Sequence, residues 1–505
     1  MKVTLLNDSF PPVIDGVANV VLNYARIMKE QGLAEPMVGT PRYPDAQYDQ
    51  YPYPVVPYPS IDTTAIVSGY RTGNPFTAKA IDEMTAFAPD VIHTHCPVSS
   101  TLMARILRKE TDAPVIFTYH TKFDVDIERA VKAKFIQKES IRTLVDNISA
   151  CDEVWVVSSG AGENLVSLGY EGRYRVMPNG VDFAKGRVDA ALVALATKGY
   201  DLPEGVPVFL FVGRIIKYKG LPIILDCLRI LKDDGMDFRM VFVGNGPDAE
   251  ELKESVREMG LEGCVFFTGA IYDRDVLRAW NTRADLFLFP STYDTNGLVV
   301  REAAACGIAS VLVRGSCAAE GITDLRNGYL IEENAQDMAR VLREACKDLD
   351  RVREVGQKAM DEIYLSWDSA VRSAVDRYGA VIELHKSCSM TERRYQTSDH
   401  FVSAATSLVN ATEKVFQAPR RLYEGMMENV YDVKERLQEN VSGVKERLQE
   451  NVSDAKERLQ GNVSDMKERL QENVSDVKER LHENVSDVKE RLQDAKETII
   501  NKILS

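Results

Sequence analysis

The chain has 505 residues, 45% hydrophobic and 27% charged, values that suit two or three globular domains and exclude wholesale disorder, collagen or a polytopic membrane protein. Its formal charge of −14 argues against a general nucleic-acid binder. Eight scattered cysteines without a CxxC pair point to a reducing compartment, MKVTLLNDSF does not read as a signal peptide, and no run of about 18 apolar residues spans a bilayer.

Taken in order, VTLL at 3–6 reads as a strand, and VANVVLNYARIMKEQG as an amphipathic helix closed by Gly32. DVIHTH at 90–95, PVIFTYH at 114–120 and EVWVVSS at 153–159 are further strands. The turn-rich PEGVP at 203–207 resets the pattern. VFLFVGR at 208–214, FRMVFVGNG at 238–246, CVFFTG at 264–269, DLFLFPS at 285–291 and ASVLV at 309–313 follow, each with a helical stretch behind it. Apolar runs with few alternating polar positions indicate parallel strands covered on both faces. The expected architecture is α/β: two doubly wound, Rossmann-like domains at 1–190 and 200–388, with a ligand cleft between them. The last helix of the second domain is expected to cross back to the first.

Residues 389–428 read as a linker, and 429–505 as an 11-residue repeat with units such as NVSGVKERLQE and NVSDVKERLQD. Eleven residues fill three helical turns at about 3.67 per turn, so one stripe recurs without drift. Val441, Val444 and Leu448 lie on that stripe, flanked by Lys445 and Arg447, with Glu446 and Glu450 opposite. This pattern suits a long amphipathic helix on a lipid surface. The other reading is a right-handed coiled coil that self-associates.

Several strand ends carry residues suited to phosphate and sugar. Gly16 follows the first strand and opens a helix, where backbone can approach a pyrophosphate. Arg214 and Lys219 flank IIKY, two cations able to neutralise a diphosphate leaving group or simply to be solvated. Gly244, Asn245 and Gly246 end another strand as a plain turn or as a wall for a nucleotide base. Asp294 and Glu302 enclose TNGLVVR, where Asn296, Gly297, Leu298 and Val299 offer backbone N–H groups at a helix start. Each acid is otherwise an ordinary helix-terminal or surface charge. His93 and His95 share a strand face, but Cys96 is their only near companion, so a metal is not expected. Asp273-Arg274-Asp275 reads as a helix cap. In ERAVKAKFIQKESIR, Arg129, Lys132, Lys134 and Lys138 intersperse with Phe135 and Ile136, which suits either an anionic membrane or a solvated helix face.

Together, PPVIDGVANVV, DVIHTHCP, FTYHT, PNGVD, FVGRIIKYKG, VGNGPDAEEL, FPSTYDTNGLVVREAAACG and EGITDLRNGYLIEEN resemble the retaining GT-B glycosyltransferases, over residues 1–388. The subfamily pattern resembles diacylglycerol and glycolipid glucosyltransferases. The resemblance implies that Gly16 meets donor phosphate and sugar, that Arg214 and Lys219 hold the diphosphate, and that Asp294 and Glu302 hold sugar and ribose. It implies that His120 lies near the sugar's C6 hydroxyl. Asp294 stands where Glu is usual, and Asp15 where a second Gly is common. The implied reaction moves a hexose from a nucleotide sugar, UDP-glucose first, to a lipid such as diacylglycerol, with no metal strictly required. The enzyme would be cytoplasmic and peripheral on the cytoplasmic membrane face. Two rivals stand: a glycosyltransferase for a soluble or polysaccharide acceptor with an oligomerising tail, and a non-catalytic membrane-binding scaffold. Intact Gly16, His120, Arg214, Lys219 and Glu302 discriminate against the scaffold.

Overall fold

The computed structural model describes residues 1–13, 15–63, 71–130 and 132–387. The linker, the repeat tail, Lys445 and Arg447 lie outside the described residues, as does the side chain of Arg129.

The first lobe runs β1 (Lys2–Leu6), α1 (Gly16–Glu30), β2 (Glu35–Pro41), β3 (Val55–Tyr58), β4 (Ser60–Asp62), β5 (Arg71–Gly73), α2 (Ala78–Phe87), β6 (Val91–Thr94), α3 (Ser99–Thr111), β7 (Val115–Tyr119), α4 (Phe123–Ala130), α5 (Lys134–Ser149), β8 (Glu153–Val156), α6 (Ser159–Ser167) and β9 (Tyr174–Val176). The second runs α7 (Ala190–Ala196), β10 (Val208–Val212), α8 (Leu221–Asp233), β11 (Arg239–Val243), α9 (Ala249–Glu258), β12 (Val265–Gly269), α10 (Arg274–Arg283), β13 (Leu286–Phe289), α11 (Leu298–Ala305), β14 (Ala309–Val313), β15 (Tyr329–Ile331), α12 (Ala335–Ala345), α13 (Leu349–Glu362) and α14 (Trp367–Ser387).

The first sheet has the order β3-β2-β1-β6-β7-β8-β9, and the second β12-β11-β10-β13-β14-β15. Every pairing within both is parallel. Parallel sheets carry helices on both faces, so their central strands are apolar throughout. VIFTY, VFLFV and ASVLV are accordingly buried at every position. Strand order reverses between β1 and β6 in the first sheet and between β10 and β13 in the second. Crevices at the carboxyl ends of such neighbours are where ligands bind.

Helix α14 follows the second lobe in sequence but packs on the first. Trp367, Val371, Tyr378 and Val381 join Val3, Leu5, Tyr24 and Trp155 in one core. Tyr378 stacks on Trp155 with ring centroids 5.4 Å apart. Arg377 Nε donates to Glu153 Oε1 at 2.9 Å.

The lobes also meet directly. Thr295 Oγ1 donates to the His120 carbonyl, and Ser158 Oγ to the Thr295 carbonyl, each at 2.5 Å. Ser159 N and Oγ donate to the Glu320 carboxylate at 2.6 and 2.8 Å, which caps the start of α6 with an acid from the other lobe. Among the described residues no helix is long and apolar enough to cross a membrane.

Candidate active site

In the second lobe, the loop leaving β10 is seated against the loop leaving β11. Gly213 N donates to Val243 O, and Ile215 N to Asn245 O, each at 3.0 Å. The approach is close enough to demand glycine. A Cβ on Gly244, whose φ is +144°, would lie 1.9 Å from Gly213 O, and one on Gly246 would lie 2.3 Å from Ile215 O. Asn245 closes the turn by accepting from Gly246 N at 2.8 Å. Gly244, Asn245 and Gly246 therefore brace the cationic loop, whatever else they touch.

That loop presents Arg214 and Lys219 at the switch point. Arg214 is exposed, with no ion pair or side-chain hydrogen bond among the described residues. Lys219 is mostly covered. Its ammonium lies 3.0 Å from Asp294 Oδ1 and 5.3 Å from the centroid of the Phe289 ring. Asp294 Oδ2 accepts from Ser291 Oγ at 2.6 Å. The cation read for the diphosphate and the acid read for the sugar thus face each other across β10 and β13.

Past Asp294, the chain enters α11 through Gly297 at φ +55°, with no side chain capping the helix. The first N–H groups of a helix have no partner within it, so Leu298 and Val299 stand at an uncapped, electropositive start. Asn296 precedes them. Both polar atoms of its amide are buried without a partner among the described residues, and it lines a cavity with Ser158, Arg301, Cys317 and Glu320. Glu302 lies one turn into α11. Burial pushes its carboxyl up, opposed by Arg274, which donates to it at 2.5 Å. Arg274 also lies over the Phe183 ring at 4.5 Å. Sequence reasoning read Arg274 only as the middle of a cap; Asp273 does cap α10, accepting from Asp275 N and Val276 N. Nothing in the local pattern announced the pairing with Glu302.

In the first lobe, Asp15 caps α1, accepting from Val17 N and Ala18 N at 2.7 Å each. A Cβ on Gly16 would meet nothing within 4 Å, so protein packing does not require glycine there. His120 follows β7 and is buried, which depresses its imidazole to about 3. Its Nε2 lies 2.9 Å from His95 Nδ1. His93 spends both ring nitrogens at 2.6 Å, on Tyr378 Oη and Thr118 Oγ1. Among the described residues no group of three or more His, Cys, Asp or Glu is arranged to hold a metal ion. Asp8, which the sequence reading passed over, caps α3 by accepting from Ser99 N and Ser100 N at 3.1 and 2.9 Å.

The basic stretch after His120 divides between α4 and α5 rather than forming one helix. At the start of α5, Phe135 is 75% and Ile136 53% exposed. Lys132, Lys134 and Lys138 are exposed around them.

Two doubly wound parallel lobes, with cations and acids at the strand ends of the second and a histidine tied to the same loop, have the architecture of the GT-B fold. Residues 14–185 match the family model Glycosyltransferase Family 4, and residues 196–361 match Glycosyl transferases group 1. The chain is a nucleotide-sugar-dependent enzyme of this group 1 and family 4 type.

Among curated relatives, alpha-monoglucosyldiacylglycerol synthase of Streptococcus pneumoniae is 25% identical over 312 residues, 61% of this chain and 70% of that protein. Sulfoquinovosyl transferase SQD2 of Arabidopsis thaliana is 27% identical over 296 residues, 56% of this chain and 55% of that protein. A GDP-mannose-dependent alpha-mannosyltransferase of Corynebacterium glutamicum is 25% identical over 405 residues, 77% of this chain and 92% of that protein. Among solved structures, Anabaena HepE in complex with UDP superposes with TM-score 0.60 at 17% identity, covering 75% of this chain and 100% of that one. Sucrose-phosphate synthase of Thermosynechococcus elongatus gives TM-score 0.60 at 18% identity, covering 76% and 99%. These two likenesses show the fold.

Proposed function

We propose that the chain transfers glucose from UDP-glucose to a lipid acceptor such as diacylglycerol, with retention of configuration, at an anionic membrane surface. One observation carries the reading: Lys219 and Asp294 meet beside the uncapped start of α11 at a topological switch point. The donor diphosphate takes Lys219, Arg214 and the N–H groups of Leu298 and Val299, and Asp294 turns to the sugar hydroxyls. Gly16 gives the phosphate and sugar room on the opposite side, and Glu302 and Arg274 flank the ribose. The bond from C1 to the diphosphate oxygen breaks as the acceptor oxygen bonds C1 on the same face. The acceptor's proton passes to the departing phosphate. The protein stabilises the charge that develops on the leaving group with its two cations and the helix dipole, so this chemistry requires no metal.

The lipid acceptor is supported by the relative named for monoglucosyldiacylglycerol and by Phe135 and Ile136 standing exposed among lysines. The enzyme would work on the cytoplasmic face, with the repeat tail as a second surface contact through Lys445 and Arg447. The mannosyltransferase relative, matched over the largest share of this chain among the three, supports GDP-mannose as the rival donor. The test offers the full chain labelled UDP-glucose, UDP-galactose or GDP-mannose with anionic vesicles containing diacylglycerol, followed by lipid extraction. UDP-glucose alone should label the lipid, in α linkage. Label from GDP-mannose instead overturns the donor, and label confined to the aqueous phase overturns the acceptor.

A further inference from the structure

His120 is the first-lobe group that the family resemblance places near the transferred sugar, and its ring is not free to choose its own proton. The carboxyl ends of β6 and β7 pair in parallel, with His93 opposite Ile116 and Thr94 opposite Phe117. Continued by one residue, this register sets Thr118 opposite His95, and His120 follows two residues further along the same face, the offset by which His93 also reaches Thr118. Their rings lie 27° from parallel with centroids 5.2 Å apart, and His95 Nδ1 stands 2.9 Å from His120 Nε2. His95 is held on its other sides by aromatic rings: His93 at 4.0 Å and Tyr24, edge-on, at 5.9 Å. Its Nε2 is buried and has no hydrogen-bond partner among the described residues.

Burial keeps both imidazoles neutral, so each ring carries one proton and the pair shares one hydrogen bond. Two arrangements are possible. In one, His120 Nε2–H donates to His95 Nδ1, which forces the proton of His95 onto Nε2 and strands a buried N–H. In the other, His95 Nδ1–H donates to His120 Nε2, and His95 Nε2 keeps only an unpaired lone pair. A buried N–H without an acceptor is the costlier defect. The second arrangement puts the proton of His120 on Nδ1. Among the described residues that atom makes no hydrogen bond.

We infer that His95 is a positioning residue that locks His120 in the Nδ1–H tautomer, so that His120 meets the sugar as a hydrogen-bond donor. This rests on the proposed placement of the sugar at His120. Its target is an oxygen of the donor sugar, which an Nδ1 lone pair would serve only through that oxygen's own proton.

The test uses the full chain labelled with ¹⁵N-histidine, with the His95 and His120 signals assigned by the His95→Asn and His120→Asn variants. His120 should show a protonated Nδ1 and a bare Nε2. His95→Ala should mix or reverse that pattern and lower kcat with UDP-glucose about 10-fold to 100-fold, leaving KM for the lipid unchanged. His95→Asn, whose amide N–H takes the place of Nδ1–H, should recover kcat to within about threefold of wild type. A wild-type His120 protonated on Nε2 overturns the inference. So does His95→Ala turning over like wild type while His120→Ala is inactive. Full turnover by His120→Ala overturns the placement of the sugar instead, and the tautomer spectrum then judges His95 by itself.

Discussion

Lys219 and Asp294, 75 positions apart in sequence, form an ion pair of 3.0 Å across the switch point of the second sheet. Both side chains are largely covered, and Ser291 holds the second carboxylate oxygen. On the proposed placement, a donor diphosphate competes with Asp294 for the ammonium, and its binding frees the acid for the sugar.

Asp294→Asn separates those two roles. It keeps the size and the Ser291 contact but removes the charge that neutralises Lys219. UDP should bind at least as tightly as to wild type, while kcat falls about 10-fold to 1,000-fold through the lost sugar contact. Calorimetric titration with UDP beside turnover decides the matter, and weaker UDP binding contradicts the competition.

The glycines divide by what surrounds them. Gly244→Ala drives a Cβ into the Gly213 carbonyl at a positive φ and should cost about 1–3 kcal/mol of stability. Gly16→Ala meets open space in the protein and should unfold at the wild-type denaturant concentration. Its defect should appear in KM for the nucleotide sugar. A destabilised Gly16→Ala, or a neutral Gly244→Ala, would reverse the assignments.

Much of this was legible in the sequence. VFLFV and VIFTY announce parallel strands because a strand covered on both faces has no polar alternation to disguise it. Arg214, at the end of one of them, follows from knowing where such a strand stops, whereas His120 is implied only by the family resemblance. β9 and β15 escaped because three-residue strands carry no periodic signal, and β2 because EPMVGTP mixes two prolines and a glycine into it. The contacts Lys219–Asp294, Glu302–Arg274 and His95–His120 were illegible because each depends on which strand ends become neighbours. The break between α4 and α5 was hidden because the basic spacing of ERAVKAKFIQKESIR runs through it unchanged.

Stability should fall on acidification below neutrality. Burial lowers the folded pKa of His93, His95 and His120, so the unfolded chain binds protons near pH 6.5 that the folded chain refuses. Unfolding then takes up protons, and stability is lost as pH drops through about 6.5, by up to about 1.4 kcal/mol per pH unit for each imidazole. Asp8 and Glu302, raised by burial, act in the opposite sense. Between pH 7.5 and 5.5 the three imidazoles dominate, because that window contains their unfolded pKa. Urea midpoints should decline across it, and a flat profile contradicts neutral burial of the cluster.

The exposed start of α5 offers a test of surface binding. Each apolar side chain buried in lipid contributes about 1.5–3 kcal/mol. Phe135→Ser with Ile136→Ser should weaken sedimentation with anionic vesicles at least about tenfold while leaving the fold unchanged. Deleting 429–505 should release protein from the same vesicles; unchanged binding in both variants would remove the membrane from the account.

The most direct measurement compares wild type and Lys219→Ala in transfer of labelled glucose from UDP-glucose to diacylglycerol in anionic vesicles, with circular dichroism confirming that both are folded. The wild type should yield labelled glucolipid, and the variant should lose about 100-fold or more of kcat/KM, the scale for removing a charge from a developing anion. Equal transfer by the two proteins would contradict the placement of the diphosphate at the switch point.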